Sequence, residues 1–478
     1  MRLIKLCLLL VVAITFTNCF EDNDDNAIAA SEINDFIWKG MNATYLYKIN
    51  VDDLANDRFS DSNEFRDYLN QFPTPENIFD DLVYEPLDRF SFFIPNYLNF
   101  NQSQQGVSSS TGLEFNFHPD PQDSSLKIGV IRLVLPGGIG DQLGLQRGQI
   151  FNAIDGIQLT ESNYLNLIRQ SSYTLNFATY NDNGTPQEND DFIESTTNSA
   201  NVTRDTYEEN PVFRTQIINV DGENVGYLVY NGFNASFVSN LNAAFGEFQA
   251  NNVQHLVLDL RYNPGGRIDV AAALGSMITG QFNGSVFSKL IYNEDLQQSN
   301  RDFNFTNNYN GINLNSLSLN KIYVLTTEAS ASASELVINS LSEYITVIQI
   351  GDTTVGKTQA SITLYDSPDF GPNDINPNHT VAIQPLVANS VNVNDGAVPA
   401  SGIPPFIEVI ETPNNYGVLG DINEPLLSAA ILNIQGLGRN VQPSTEFKAD
   451  KKDVNLRPFE DHMYITIDDL FIERRQFE

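Results

Sequence analysis

The second half of the chain contains three continuous apolar runs, HLVLDLR (255–261), KIYVLTT (321–327) and ITVIQI (345–350). Runs without polar alternation are typical of parallel strands that are buried on both faces of a sheet. Two segments with helical patterning, RIDVAAALGSMI (267–278) and ASELVINSLSEY (333–344), lie between these runs. The pattern predicts an α/β domain of parallel βαβ units over residues 209–435, with loops gathered at the carboxyl ends of the strands.

The remainder of the chain divides into smaller units. Residues 28–104 combine amphipathic helical stretches with the turn signal FPTPEN, which predicts a small helical domain. Residues 105–180 contain the short strand patterns GLEFNF, KIGVIRLVL and QIFNAIDGIQL and one helical pattern, ESNYLNLIRQ. Residues 181–208 are rich in Asn, Asp, Thr and Ser and are interpreted as a polar linker, and residues 436–478 form a polar tail without assigned chemistry.

The amino terminus has the pattern of an export signal. Residues 1–19 carry two basic residues ahead of an apolar run that ends at Cys19, and an acidic tether follows at 20–27. This resembles a bacterial lipoprotein signal with Cys19 as the lipidated residue, although an ordinary cleaved signal remains an alternative. The expectation is an exported cell-envelope protein, an outer-membrane lipoprotein facing the periplasm or the exterior, held to the membrane only by its lipid anchor.

Charge argues against one class of partner. The chain has 60 Asp and Glu residues against 26 Lys and Arg residues, for a formal net charge of −34. Such a charge repels phosphate backbones, so no nucleic-acid partner is expected.

The stretch TEASASASELVINSL (327–341) places serines at every second position where a strand gives way to a helix. Ser332 and Glu335 fit a capping box, in which the two side chains satisfy backbone N–H groups at a helix start. A serine at such a turn also lies where N–H groups and the helix dipole can stabilise an oxyanion. Both interpretations select Ser332 over Ser330 and Ser334.

A serine nucleophile needs a base, and histidine is scarce. The histidines at 118, 255, 379 and 462 lie in four different contexts, none of them obviously beside Ser332. A lysine can act instead when burial disfavours its charged form, and serine–lysine pairs are a known variant of the catalytic triad. Lys357 follows the next strand, in GDTTVGKTQAS, so it is expected at the same end of the sheet.

The same segment matches a rival motif. Gly351, followed by Gly356, Lys357 and Thr358, satisfies the P-loop pattern of nucleotide-binding proteins. A P-loop requires a helix directly after this motif, whereas QASITLY alternates like a strand. An exposed lysine in a glycine turn is the third interpretation.

A further loop carries glycines. In LDLRYNPGG (258–266) a buried strand ends in a turn where Gly265 and Gly266 allow a sharp bend and can present N–H groups to a carbonyl oxygen. A plain strand-to-helix turn explains the same residues, but a serine, a lysine and a glycine pair on three neighbouring loops together form a stronger signal.

Taken together, DLRYNPGG, SASASEL and VGKT resemble the carboxyl-terminal processing (tail-specific) peptidases of family S41. The resemblance implies a ClpP/crotonase-like fold, Ser332 as nucleophile and Lys357 as general base, without metal or cofactor. It also implies an oxyanion hole formed by the N–H groups of Ala333 and of Gly265 or Gly266.

Two positions depart from the family pattern. Many members have an acidic residue where Glu343 lies, but along a continuous helix this residue would be roughly 16 Å from Ser332. Many members also have glutamine at the position of Ser361, and Gln359 nearby would point to the other face of a strand. Glu343, Gln359 and Ser361 are therefore expected to be supporting residues at most, and the third catalytic residue is unassigned.

Residues 105–180 also resemble a PDZ domain, with Gly112, Leu113, Glu114 and Phe115 in the place of its carboxylate-binding loop. Such a domain binds the carboxyl terminus of a polypeptide by strand addition, although a purely structural role is the alternative. The predicted function is a serine endopeptidase that recognises polypeptide substrates by their C-termini. The alternative is an inactive S41-like surface protein that only binds a peptide or partner.

Overall fold

The computed structural model describes residues 30–185, 190–437 and 463–465. Its amino-terminal part is helical, as predicted, with α1 (Ala30–Thr44), α2 (Ser62–Leu69), α3 (Pro75–Leu82), the short strand β1 (Phe92–Ile94) and α4 (Tyr97–Gln104). Asp61 and Thr74 cap α2 and α3 by accepting hydrogen bonds from N–H groups of the first turn. The predicted signal, Cys19, the tether and His462 lie outside the described residues.

A β module follows. Strand β2 (Val107–Ser110) precedes the module's strands and helices, which are β3 (Leu113–Pro119), β4 (Lys127–Val134), α5 (Ile139–Gln142), β5 (Ile150–Ile154), β6 (Ile157–Gln158), α6 (Tyr164–Ile168), β7 (Ser172–Asn181) and β8 (Phe192–Thr203). The sheet has the order β3-β4-β5-β7-β8, with β6 paired to β5, so β3 is an edge strand. We call β3 to β8, residues 113–203, the β module.

The prediction of a polar linker over residues 181–208 is wrong. Strand β8 pairs antiparallel with β7, and β9 (Asp205–Glu208) pairs antiparallel with β2. The Thr-, Ser- and Asn-rich sequence lacks an apolar alternation, because β8 is largely exposed. Backbone pairing with the neighbouring strand, which composition does not reveal, makes this segment a strand.

The α/β core begins at β10. Its strands are β10 (Val212–Val220), β11 (Glu223–Tyr230), β12 (His255–Asp259), β13 (Gly266–Arg267), β14 (Val286–Tyr292), β15 (Arg301–Asn304), β16 (Asn308–Tyr309), β17 (Ile312–Asn313), β18 (Lys321–Thr326), β19 (Thr346–Gly351), β20 (Gln359–Ser361), β21 (Leu364–Tyr365), β22 (Ala382–Gln384), β23 (Leu386–Val391) and β24 (Ile407–Glu408). Its helices are α7 (Val238–Ala250), α8 (Ile268–Thr279), α9 (Ala333–Leu341) and α10 (Pro425–Ile434).

The central sheet has the order β10-β11-β12-β18-β19-β24. Its neighbouring strands from β11 onward, β11/β12, β12/β18, β18/β19 and β19/β24, pair in parallel. This confirms the predicted mixed α/β fold with parallel βαβ units. Successive side chains of a strand point to opposite faces. Leu256 and Leu258 accordingly pack in the core with α8 and α9, while Val257 packs on the other face with α10.

A second sheet of the core, β13-β25-β20-β23-β14-β15, includes the tail strand β25 (Met463–Tyr464). Strand β25 lies between β13 and β20 and pairs in parallel with both. The amino-terminal helical region is joined to the core through the sheet β1-β22-β21. Within the described ranges, no helix has both the length and the apolar composition needed to cross a bilayer.

Candidate active site

The loops that follow β12, β18 and β19 meet through backbone hydrogen bonds. Ala331 N donates to Asn263 O at 3.1 Å, joining the second loop to the first, and Val355 N donates to Ser330 O at 3.1 Å, joining the third to the second. These loops carry the glycine pair, the serines and Lys357. The carboxyl ends of the parallel strands thus bring together the three loops that carry these residues.

The three serines of this stretch have different environments. Ser330 Oγ donates to Leu260 O at 2.8 Å and accepts from Thr327 N at 3.0 Å. Ser334 Oγ donates to Asn263 O at 2.9 Å. Ser330 and Ser334 therefore tie their turn to the loop after β12, whereas Ser332 Oγ is buried without a hydrogen-bond partner.

Ser332 also has an unusual backbone conformation, with φ 63° and ψ −112° immediately before α9. Residues other than glycine rarely adopt a positive φ, and such backbone strain is concentrated at functional sites. Its backbone N–H donates to Glu335 Oε2 at 2.7 Å, which forms the glutamate half of the predicted capping box. The serine half of the capping box is incomplete. The Ser332 side chain is directed toward the backbone N–H of Glu335, but Oγ makes no hydrogen bond of normal geometry.

Glu335 connects the serine loop to the lysine loop. Oε2 accepts from both Ser332 N at 2.7 Å and Lys357 N at 2.9 Å. Oε1 accepts from Gly356 N at 2.7 Å and from Thr354 Oγ1 at 2.5 Å. Burial raises the pKa of Glu335, and hydrogen bonds from these donors act in the opposite direction.

Lys357 is fully buried. Its Nζ lies 5.0 Å from the ring centroid of Phe90, a half-buried residue of the amino-terminal region. The neighbouring Arg89 donates through Nη2 to Gly356 O and Ala400 O, each at 3.2 Å. The amino-terminal region therefore covers the candidate base and holds the loop on which it lies.

The predicted oxyanion residues lie around the start of α9. Ala333 is the first residue of α9 and is fully buried. Gly266 has φ 131°, and a Cβ there would lie 2.5 Å from Phe233 O, so the turn requires glycine. Gly265 N donates to Asn263 Oδ1 at 2.9 Å, so one of the predicted oxyanion donors already has a hydrogen-bond acceptor.

The three supporting candidates are separated from one another. Glu343 lies beyond the end of α9 and accepts from Asn392 Nδ2 at 3.0 Å and Asn394 Nδ2 at 2.7 Å. Gln359 Nε2 donates to Tyr47 OH at 3.1 Å. Ser361 Oγ donates to Met463 O at 3.1 Å in the tail strand, so each of the three has a structural partner.

The predicted carboxylate loop opens β3. Gly112 has φ 70°, and Leu113 and Phe115 are buried in the core of the β module. Glu114 forms an ion pair with Arg132 on β4 at 3.2 Å. A small cavity beside the loop is lined in part by Leu113, Glu114, Phe115, Tyr173 and Arg204.

The rival interpretations of this end of the sheet lose support. Strand β20 follows Lys357, and the helix that a P-loop requires is absent from residues 359–365. His118 bonds with Tyr416 OH at 2.9 Å, His255 with Glu223 at 2.7 Å and His379 with Asp366 at 3.2 Å. These described histidines have partners elsewhere, so the lysine remains the candidate base.

Sequence reasoning missed Asn263 and the covering residue Phe90. Asn263 Nδ2 donates to Tyr230 O at 2.8 Å, while its own carbonyl accepts from Ser334 and Ala331. Asparagine at the start of a proline-glycine turn is a local signal that could have identified it. No local signal identifies Phe90, because it is 267 positions away from Lys357 in the sequence.

Two segments of the chain match models of known protein families. Residues 224–374 match the model of peptidase family S41, and residues 32–92 match that of the peptidase S41 N-terminal domain. The fold and the matched segments define an α/β peptidase-type domain preceded by its own amino-terminal domain. Over these two segments the chain is similar to peptidase family S41.

Curated relatives include a carboxyl-terminal-processing protease of Picosynechococcus sp., 26% identical over 57% of this chain and 60% of its own. Carboxyl-terminal-processing peptidase 3 of Arabidopsis thaliana is 24% identical over 55% of this chain and 48% of its own. The chain thus spans about half to three fifths of the length of these relatives.

Solved structures include a Bacteroides fragilis protein described as an S41 protease candidate, with a TM-score of 0.68 and 26% identity. That match covers 84% of this chain and 97% of the other. The photosystem II D1 C-terminal processing protease has a TM-score of 0.50 at 17% identity, covering 84% of this chain and 98% of its own, which indicates a shared fold.

Proposed function

We propose that the protein is a serine endopeptidase with a Ser332/Lys357 catalytic dyad. The observation that carries this proposal is the shared acceptor, Glu335 Oε2, which receives the N–H groups of both residues. A single carboxylate oxygen thereby sets the position of the strained serine relative to the lysine loop. The match of residues 224–374 to the model of peptidase family S41 supports the same assignment.

In the proposed reaction, neutral Lys357 Nζ accepts the proton of Ser332 Oγ as the oxygen attacks the carbonyl carbon of a peptide bond. The N–H of Ala333, with Gly266 or Gly265, stabilises the tetrahedral oxyanion. The C–N bond then breaks, the leaving amine takes the proton from Lys357, and water hydrolyses the acyl-enzyme. Because Ser332 and Lys357 are both fully buried, a substrate requires local opening before it can reach them.

The test is degradation of an unstructured protein by the parent, Ser332→Ala and Lys357→Ala, each shown to be folded. Both substitutions are expected to abolish cleavage, whereas the controls Ser342→Ala and Lys289→Ala retain it. Ser342 is exposed, and Lys289 pairs with the exposed Asp395. Undiminished cleavage by either dyad variant refutes the assignment.

A serine-directed phosphonate separates the active enzyme from an inactive binding protein. Covalent modification at Ser332 in the parent is expected for the peptidase. A folded parent that remains unmodified and cleaves nothing would instead support the S41-like binding module.

We also propose that the β module acts as a PDZ-like domain for substrate C-termini. The edge position of β3 supports this, because strand addition needs an unpaired strand edge. Cleavage of a protein ending in a free carboxylate should then be faster than cleavage of the same protein with an amidated C-terminus. Equal rates would argue for a purely structural β module.

The proposed location is the cell envelope, with Cys19 as the site of lipid attachment. The acidic tether after this cysteine supports the proposal. Metabolic labelling with a fatty acid should modify the parent and not Cys19→Ala. Labelling of both proteins, or of neither, excludes lipidation at this residue.

A further inference from the structure

A buried ionic cluster joins the β module to the core. Arg147, in the loop before β5, donates to Glu411 Oε1 at 2.6 Å, to Tyr262 OH at 2.7 Å and to Tyr416 O at 3.1 Å. The side chains of Arg147 and Glu411 are only 8% and 5% exposed. Arg147 is thus a buried cation of the β module, and its charge is compensated by the carboxylate of Glu411 in the core.

Glu411 is shared with the core's own arginine. Arg261, which is fully buried, donates to Glu411 Oε1 at 3.0 Å and to Glu424 Oε1 at 2.7 Å, and it also pairs with Asp259. Removal of Arg147 would leave Arg261 alone with these three carboxylates. A buried network that loses one charged partner is strongly destabilised locally, because the remaining charges have no water to solvate them.

The cluster ends on the loop that carries the predicted oxyanion glycines. Tyr262 OH donates to Glu411 Oε2 at 2.6 Å, so Arg147 and Glu411 together determine the position of this side chain. The guanidinium carbons of Arg132 and Arg147 lie 4.9 and 5.5 Å from the Tyr262 ring centroid. Tyr262 is therefore held by two arginines of the β module.

The residue after Tyr262 is Asn263, which bonds to Gly265 N and accepts from Ser334 Oγ. We propose that Arg147 is a positioning residue that acts through Glu411 and Tyr262 to keep the loop of residues 261–266 aligned with Ser332. Its relevance to catalysis rests on the proposed peptidase function, whereas its effect on the loop does not. The sequence gives no indication of this role, because Arg147 and Glu411 are 264 positions apart.

The first test is hydrogen exchange in the full chain, compared for the parent, Arg147→Met and Arg147→Lys. Residues 261–266 are expected to exchange faster in Arg147→Met, while the strand at 321–326 stays protected. Arg147→Lys, which keeps the charge but reaches fewer acceptors, should give an intermediate result. The matched control is Lys127→Met, which removes a buried cation whose ion-pair partner, Glu161, lies in the β module. Unchanged exchange at 261–266 in folded Arg147→Met overturns the proposal.

The second test uses the reaction itself. Arg147→Met is expected to lower kcat roughly ten- to hundredfold with little change in KM, because a small misplacement of the loop affects the transition state more than substrate binding. The affinity for a peptide aldehyde, which forms a tetrahedral adduct, should fall in parallel. An increase in KM alone, with parental kcat, contradicts the positioning role. Faster loop exchange in a chain whose parent lacks Ser332-dependent cleavage would refute the peptidase function and leave the structural link intact.

Discussion

The backbone N–H groups of Ser332 and Lys357 donate to the same atom, Oε2 of Glu335, at 2.7 and 2.9 Å. The two bond lengths limit the separation of these nitrogen atoms to about 5.6 Å. Residues 25 positions apart in the sequence are thereby held by one buried carboxylate. This relationship makes Glu335 more than the helix cap that the local sequence indicates.

Glu335→Gln is expected to lower the free energy of unfolding by about 2–3 kcal/mol and to impair cleavage severely. The carboxylate accepts four hydrogen bonds and donates none, so an amide NH₂ would face two donors whichever way it is turned. Thermal unfolding and cleavage rates measure the two effects. Glu343→Gln is the matched control, because an amide oxygen can still accept from Asn392 or Asn394. Parental stability and activity in Glu335→Gln would contradict this role.

Ser332→Gly should be more stable than Ser332→Ala by roughly 1 kcal/mol, although both lack the nucleophile. Glycine adopts φ 63° without the strain that a Cβ imposes. Comparison of their unfolding midpoints isolates the backbone effect, since neither variant has the hydroxyl. An alanine variant as stable as the glycine variant would mean that the turn relaxes without strain.

Ser330→Ala is expected to destabilise the protein more than Ser334→Ala. Each substitution should lower the free energy of unfolding by about 1–3 kcal/mol. Ser330 Oγ both donates to Leu260 O and accepts from Thr327 N. Ser334 Oγ only donates to Asn263 O, which retains the hydrogen bond from Ala331 N. Both variants should keep far more cleavage activity than Ser332→Ala. The reverse order of stability, or loss of cleavage equal to that of Ser332→Ala, would be inconsistent with these contacts.

Phe90→Ala should increase the rate at which Lys357 is acetylated by a small reagent, as followed by mass spectrometry. The ring covers Nζ of a lysine that has no exposed surface, so its removal admits water and reagent. Phe90→Leu keeps an apolar cover and should react nearly as slowly as the parent. The control Phe406→Ala removes a ring that is 61% exposed and should leave Lys357 protected. Equal acetylation in all four proteins would show that other residues shield the lysine.

The contribution of Glu411 to stability should depend on pH. Burial alone would raise its pKa, but Arg147 and Arg261 lower the pKa from 4.5 to about 2. A lowered carboxyl pKa gives stability that is fully present above pH 4.5 and is lost as the pH falls through 2, about 3 kcal/mol in total. The difference in unfolding midpoint between the parent and Glu411→Gln should therefore shrink from pH 5 toward pH 2. A difference that is constant over this range would refute the lowered pKa.

Local patterns determined a large part of this protein. Continuous apolar runs predicted the parallel strands, because a strand buried on both faces needs apolar residues throughout. The serine turn and the VGKT loop predicted that Ser332 and Lys357 lie at one end of the sheet, since the carboxyl ends of parallel strands meet there. The strand pattern after Lys357 likewise argued against a P-loop, as the position of β20 confirms.

Tertiary structure alone decided which partner each polar side chain has. The four bonds of Glu335, the cover of Phe90 over Lys357 and the bond from Arg147 to Glu411 join residues that no local pattern relates. The strand β8 also depends on its neighbour, because polar residues become a strand only where another strand supplies hydrogen bonds. Short-range periodicity reports which face of an element is buried, but the partner of a buried charge is set by how distant elements pack.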